Sequence, residues 1–131
     1  MAKPEDKIRV LLIEDEPEVL ELYRLKLSLD DYEVITALNG AEGLKKAKSA
    51  KPELIFLDIK MPGMDGFEVL KELRTDPATK DLPVVILSNF DEESMVNKGL
   101  ALGANDYLIK SQYSPAALSE KASKYFSDSE D

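Results

Sequence analysis

Short apolar runs rich in β-branched residues recur along the chain, and a stretch with helical periodicity follows each of them. The runs are Val10–Ile13, Val34–Ala37, Leu54–Leu57, Val84–Leu87 and Tyr107–Ile109. Such alternation predicts parallel strands joined by crossover helices. The first, third and fourth runs are apolar throughout, as in central strands that helices cover on both faces. The sequence therefore predicts an α/β fold around a five-stranded parallel sheet.

The helical stretches complete a (βα)5 pattern, with helices predicted over residues 17–28, 41–49, 66–74, 92–102 and 114–126. Pro17 suits a first helical turn, Asn39-Gly40 marks a helix start, and Gly103 suits a left-handed helix stop. A length of 131 residues leaves room for one domain. We expect a folded domain over residues 8–126, between a disordered segment at 1–7 and an acidic tail at 127–131.

Composition excludes several function classes. The chain has no His and no Cys, so it cannot supply a Ser-His-Asp or Cys-His catalytic group, a thiolate-imidazole zinc site or a phosphohistidine. A net charge of −9 without a basic patch argues against direct binding of nucleic acid or acidic membranes. The polar N-terminus lacks the apolar segment of a signal peptide, and we expect a cytoplasmic protein.

Polar side chains stand at the predicted carboxyl ends of four strands: Glu14-Asp15-Glu16, Asp58, Ser88 and Lys110. In a doubly wound sheet these ends share one edge, where ligands collect. Several carboxylates there favour a hard cation such as Mg²⁺. The alternatives are that Glu14 to Glu16 only open a helix in solvent, and that Asp58 and Lys110 form a purely structural ion pair.

The string Asp58-Ile59-Lys60-Met61-Pro62-Gly63-Met64-Asp65-Gly66 closely resembles the loop after the phosphoacceptor in response regulator receiver domains, the signalling partners of sensor histidine kinases. The resemblance runs from about Ile8 to Phe126. Within it, Glu14 and Asp15 resemble the acidic pair, Ser88 the hydroxyl residue, Tyr107 the switch aromatic and Lys110 the invariant lysine. The chain resembles single-domain, chemotaxis-regulator-like receivers, and this resemblance implies a flavodoxin-like fold with strand order 2-1-3-4-5.

The resemblance implies a phosphorylation-activated switch rather than a conventional enzyme, with self-catalysed phosphotransfer and slow autodephosphorylation. Asp15, Asp58 and the Lys60 carbonyl would hold Mg²⁺, with Glu14 reaching it through water. Asp58 would take a phosphoryl group from phosphohistidine on a sensor kinase or a phosphotransfer protein, and Lys110 and Ser88 would contact the phosphoryl oxygens. Inward movement of Ser88 would let Tyr107 turn from solvent toward the core, which changes the surface offered to a downstream protein.

Two further positions are expected to set the lifetime of the phosphoryl group. In the family, residues at the positions of Lys60 and Phe90 flank the path of the hydrolysing water. Phe90 cannot orient a water, and Lys60 can pair with a phosphoryl oxygen, so we expect slow hydrolysis. The alternative is that both side chains point into solvent and have no effect on the rate.

The chain departs from the family pattern at three places. Ser111 stands where a Pro usually follows the lysine, so we expect a trans peptide and a reshaped loop. Asn89 replaces a small residue and narrows access to Asp58. No Arg follows Arg74, which argues against the dimer face of the winged-helix branch and favours a monomer or a weak phosphorylation-dependent dimer.

The sequence is also compatible with other functions. The chain could be a pseudo-receiver scaffold with an idle acidic site, or an N-terminal receiver cut from a larger regulator. Tyr107 and Ser88 could be an ordinary packing aromatic and strand-end hydroxyl. An aspartyl phosphatase fits poorly because Lys60 stands where a second carboxylate is needed, and a flavin carrier fits poorly because acidic residues follow the first strand.

Overall fold

The computed structural model describes residues 7–126 as five strands that alternate with five helices. The strands are β1 (Arg9–Ile13), β2 (Glu33–Ala37), β3 (Leu54–Leu57), β4 (Val84–Ser88) and β5 (Asp106–Ile109). All pair in parallel, in the order β2-β1-β3-β4-β5. The predicted fold class and strand order are therefore confirmed.

The helices are α1 (Pro17–Leu29), α2 (Gly40–Ser49), α3 (Gly66–Thr75), α4 (Glu93–Ala101) and α5 (Pro115–Ser123). Side chains of α1 and α5 pack on one face of the sheet, and those of α2, α3 and α4 on the other. Strand residues alternate between the two cores, so Leu11 and Ile13 contact one while Val10 and Leu12 contact the other. Because helices cover β1, β3 and β4 on both faces, the sequences of these strands are continuous apolar runs.

The sequence signals at the helix ends operate as predicted. Pro17 occupies the first turn of α1, and the Asn39 side chain caps α2 by accepting a hydrogen bond from the Glu42 amide. Gly103 ends the α4 region with a φ of +108°, a conformation that glycine adopts without strain.

The end of α5 is the clearest error in the predicted bounds. The helix ends at Ser123 rather than near Phe126. The amides of Lys124, Tyr125 and Phe126 each bond the carbonyl three residues earlier, so the last turn tightens into 3₁₀ geometry. A second 3₁₀ turn, which the sequence did not indicate, spans Lys110–Gln112.

Residues 1–6 and 127–131 lie outside the described part of the chain, and so do the predicted disordered start and acidic tail, apart from Lys7. Among residues 7–126, no helix is long and apolar enough to cross a membrane.

Candidate functional site

The carboxyl edge of the sheet forms an open cavity of about 550 Å³. Each polar residue predicted from a strand end reaches this edge, because parallel strands end on the same side of the sheet. Glu14 and Asp15 follow β1, Asp58 follows β3, Ser88 ends β4 and Lys110 follows β5. The cavity is lined by Asp15, Glu16, Asp58, Lys60, Met61, Pro62, Ser88, Asn89, Phe90 and Lys110.

Three carboxylates converge beside this cavity. Glu14, Asp15 and Asp58 each place an oxygen within 4.8 Å of the others. Glu14 and Asp58 are buried, at 4% and 5% exposure, while Asp15 is partly exposed. Burial, and then the neighbouring charge of Glu14, raise the pKa of Asp58 to about 7 against the opposing effect of Lys110. Burial and the Glu14 charge therefore favour the protonated form of Asp58 far more than in an ordinary aspartate.

Lys110 supplies the positive charge of the site. Its Nζ lies 2.7 Å from Glu14 Oε1, 3.4 Å from Asp58 Oδ2 and 3.7 Å from Glu16 Oε1. Burial lowers the pKa of Lys110, but the pairing with Glu14 and Asp58 outweighs it and leaves the pKa above its ordinary value. The ammonium is therefore charged at neutral pH and adjoins the Asp58 carboxylate.

The donor set fits a hard divalent cation. One ammonium faces three carboxylates, so the cluster carries excess negative charge in a partly dry site. Glu14 Oε1 is buried and paired with Lys110 Nζ at 2.7 Å, which leaves the carboxylates of Asp15 and Asp58 without an equal number of cations. An oxygen-only cluster with excess negative charge suits Mg²⁺, which prefers oxygen ligands and retains several waters.

Local backbone chemistry holds the loop after Asp58 against the site. Gly63 has a φ of +79° and closes the turn that Pro62-Gly63 predicted. Asp65 and Glu68 form a reciprocal capping box that starts α3. A Cβ at Gly66 would stand 2.3 Å from the Asp58 carbonyl oxygen, so glycine is required for α3 to begin this close to the nucleophile candidate.

Ser88 and Tyr107 are linked through the backbone of Phe90. The Phe90 amide donates to Ser88 Oγ at 3.0 Å, and the Tyr107 hydroxyl donates to the Phe90 carbonyl at 2.8 Å. Contrary to the expected outward orientation in the unmodified protein, Tyr107 is only 9% exposed. The Tyr107 ring is held inward by the hydrogen bond from its hydroxyl to the Phe90 carbonyl. It also occupies space left by Gly99 of α4, where a Cβ would lie 3.2 Å from Tyr107 Cδ2.

The predicted lifetime residues both line the cavity. Lys60 is exposed at the rim, whereas Phe90 is half-buried and packs against the core rather than projecting freely into solvent. Asn89 is exposed at the cavity mouth, where it also borders a neighbouring groove.

The segment after Lys110 contains a feature that the sequence analysis missed. The Lys110–Ser111 peptide is trans, as expected for a non-proline bond. The hydroxyl of Tyr23, on α1, donates to the Tyr113 carbonyl at 3.0 Å. In the sequence, this hydrogen bond is signalled only by a tyrosine at an apolar position of the predicted first helix. That signal does not identify a partner 90 residues away.

Comparison with known proteins places these features in a wider group. The family model described as "Response regulator receiver domain" matches residues 10–123. The alkaline phosphatase synthesis transcriptional regulatory protein PhoP of Bacillus subtilis is 42% identical over 102 residues, which are 78% of this chain and 42% of that protein. Protein PilH of Pseudomonas aeruginosa is 36% identical over 104 residues, covering 78% of this chain and 84% of that protein.

Solved structures agree with the sequence relatives. The Vibrio cholerae chemotaxis protein CheY4 superposes with a TM-score of 0.84 at 30% identity, covering 90% of this chain and 98% of that one. The chain spans less than half the length of some curated relatives, since it matches 42% of PhoP and 22% of the response regulator PleD of Caulobacter vibrioides.

Proposed function

The chain belongs to the response regulator receiver domain family, and from this premise we propose that it is a phosphorylation-dependent signalling switch with Asp58 as the phosphoacceptor. The observation that carries the proposal is a buried Asp58 beside the Lys110 ammonium at 3.4 Å, in a cavity that also contains Asp15 and Ser88. This arrangement offers a nucleophile, a cation site and two groups for phosphoryl oxygens.

Asp15, Asp58 and the Lys60 carbonyl are the groups that would hold Mg²⁺, and Glu14 would reach it through a water. When bound, the ion supplies positive charge that ionises Asp58 and neutralises the phosphoryl oxygens. The raised pKa of Asp58 supports this requirement, because without added positive charge a large fraction of Asp58 remains protonated at neutral pH.

The ionised Asp58 attacks phosphorus, so that a new O–P bond forms while the P–N bond of phosphohistidine breaks and its electron pair leaves with the imidazole. With acetyl phosphate, a P–O bond breaks instead. Lys110 and Ser88 line the same cavity and contact the phosphoryl oxygens as charge develops there. Catalysis of this kind consists mainly of positioning and electrostatic stabilisation.

The Phe90 backbone provides a route from the modification to the surface. When Ser88 Oγ turns to a phosphoryl oxygen, it gives up the hydrogen bond from the Phe90 amide, and the Phe90 carbonyl that holds Tyr107 is then free to shift. The Tyr107 ring lies beside α4, since a Cβ on Gly99 would stand 3.2 Å from Tyr107 Cδ2. The modification therefore alters the surface formed by α4, β5 and α5, through a shift between two populations.

Receiver domains of response regulators interact with kinases and with downstream targets. For this chain we propose a sensor histidine kinase or phosphotransfer protein as donor, a downstream protein as target, a cytoplasmic location and a monomeric or weakly dimeric state. Residues 8–126 form the receiver unit of this proposal. An idle pseudo-receiver is the competing function, and it predicts that Asp58 is never modified.

Intact-mass spectrometry after incubation with acetyl phosphate and Mg²⁺ tests the assignment. We expect a gain of one phosphoryl group in the wild type and none in Asp58→Asn. The Ser88 hydroxyl keeps its proton at neutral pH and the chain contains no His to remove it, so it is a much weaker nucleophile than a carboxylate and we expect it not to act as acceptor. Asp81→Asn makes the same chemical change at an exposed position and should retain labelling. An unlabelled wild type, or an adduct that persists in Asp58→Asn, would refute the proposal.

A further inference from the structure

A hydrogen-bonded turn, rather than a proline ring, holds the backbone that carries Lys110. Ser111 replaces the proline that resemblance to the family leads one to expect, so no pyrrolidine ring restricts this segment. The chain instead forms a 3₁₀ turn over Lys110–Gln112, which the Tyr113 amide closes by donating to the Lys110 carbonyl at 3.1 Å. Ser111 and Gln112 are both exposed. The turn itself therefore contributes little packing to hold Lys110 in place.

Tyr23 connects this turn to the body of the protein. Its ring is 7% exposed in the core between α1 and the sheet, and it borders a small cavity shared with Glu14 and Asp58. The hydroxyl donates to the Tyr113 carbonyl at 3.0 Å. Burial raises the pKa of Tyr23, so the hydroxyl keeps its proton and remains a donor at neutral pH. Two consecutive hydrogen bonds thus join Tyr23 through Tyr113 to the Lys110 backbone.

We propose that Tyr23 is a positioning residue for Lys110, holding the Lys110–Tyr113 turn at the depth that keeps the ammonium beside Asp58. The inference rests on the proposed phosphoacceptor function and adds a residue to it. The Lys110 Nζ must remain near its 3.4 Å contact with Asp58 to meet the phosphoryl oxygens. A displacement of about an ångström at such a site can cost roughly 100-fold in rate.

Tyr23→Phe tests this role because it removes one oxygen and keeps the buried ring. At saturating Mg²⁺ and acetyl phosphate, we expect a roughly 3- to 10-fold fall in the rate of Asp58 labelling, the population change that loss of a single hydrogen bond produces. Mg²⁺ should still bind and saturate the site, since neither Tyr23 nor Lys110 supplies a ligand atom. Tyr32→Phe is the matched control, a half-buried tyrosine at the edge of the same core, and should label at the wild-type rate.

A double-mutant cycle separates positioning from general support of the fold. If Tyr23 acts through Lys110, Tyr23→Phe has no further effect on labelling in a Lys110→Ala background. The proposal would be overturned if Tyr23→Phe lowered the labelling rate by the same factor in both backgrounds, or if Tyr23→Phe alone labelled at the wild-type rate.

If the wild type is never labelled, that result refutes the proposed phosphoacceptor function but does not test the position of Lys110. Nuclear magnetic resonance then tests the positioning role directly. In protein with ¹³C-labelled lysine, the two Hε protons of a Lys110 side chain held in one place give distinct signals. We expect the positions and separation of these signals to change in Tyr23→Phe and to match the wild type in Tyr32→Phe. Distinct, unshifted signals in Tyr23→Phe would contradict the positioning role without reference to phosphorylation.

Discussion

Replacing Asp58 with Asn should make the metal-free protein more stable at pH 8. Asp58 is 5% exposed beside the buried Glu14, and its pKa is raised to about 7 by burial and by that charge. Above this pH the folded protein must hold an ionised carboxylate where ionisation is unfavourable. An amide of nearly the same shape removes the charge and retains the packing.

The magnitude follows from the pKa. A carboxyl group with a pKa of about 7 in the folded protein and about 3.9 in the unfolded chain costs up to ~4 kcal/mol at pH 8. Asn also forfeits the ionic contact with Lys110 at 3.4 Å, which offsets part of the gain. We expect a net stabilisation of about 1–3 kcal/mol, equivalent to a rise of roughly 4–10 °C in melting temperature for a chain of this size.

The sign of the pH dependence is a separate check. Between about pH 4 and pH 7 the folded wild type keeps a proton on Asp58 that the unfolded chain has lost, so the stability contributed by this group falls as the pH rises. Asp58→Asn lacks that proton equilibrium. Its advantage over the wild type should therefore be small at pH 4.5, grow through this window and be largest at pH 8.

Thermal unfolding followed by circular dichroism, with EDTA and at pH 4.5, 6 and 8, measures the effect. Asp76→Asn is the matched control, since its pairing with Lys48 at 2.9 Å lowers the pKa of Asp76 and the same substitution should give no stabilisation. Added Mg²⁺ should stabilise the wild type more than Asp58→Asn. A variant that is not stabilised at pH 8, or is stabilised equally at pH 4.5, would show that Asp58 is not strained in this way.

Two further predictions concern the cation site and the lifetime of the phosphoryl group. Asp15→Ala should abolish most Mg²⁺ binding, and Glu14→Gln should reduce it less. The reason is that Asp15 borders the cavity directly, whereas Glu14 lies behind it against Lys110. Equal Mg²⁺ affinities of the wild type and Asp15→Ala in calorimetric titration would contradict this prediction. Replacing Lys60 with Asn and Phe90 with Glu should accelerate hydrolysis of the phosphoryl group in the presence of Mg²⁺, because polar side chains at these positions can orient a water. The rate is measured as the decay of the phosphorylated mass. An unchanged or slower decay would show that these positions do not set the lifetime.

The apolar pattern is enough to predict the alternation of strands and helices, because burial on both faces requires continuous apolar runs and helical crossovers between them. Every strand lies where its run predicts, and the polar residues Asp15, Asp58, Ser88 and Lys110 meet at one edge. This followed from a general rule: strands that all run in the same direction carry their terminal residues to the same edge of the sheet. The composition of that edge then pointed to an oxygen-ligated cation.

The arrangement of these groups within a few ångströms depends on tertiary contacts that the pattern does not predict. The end of α5, the inward position of Tyr107 and the bond from Tyr23 to Tyr113 each depend on contacts between residues distant in sequence or on the geometry of one turn. Local periodicity carries no information about such contacts, since propensity and pattern describe neighbours along the chain. The raised pKa of Asp58 is of the same kind, because it arises from burial and from a charge contributed by a different strand.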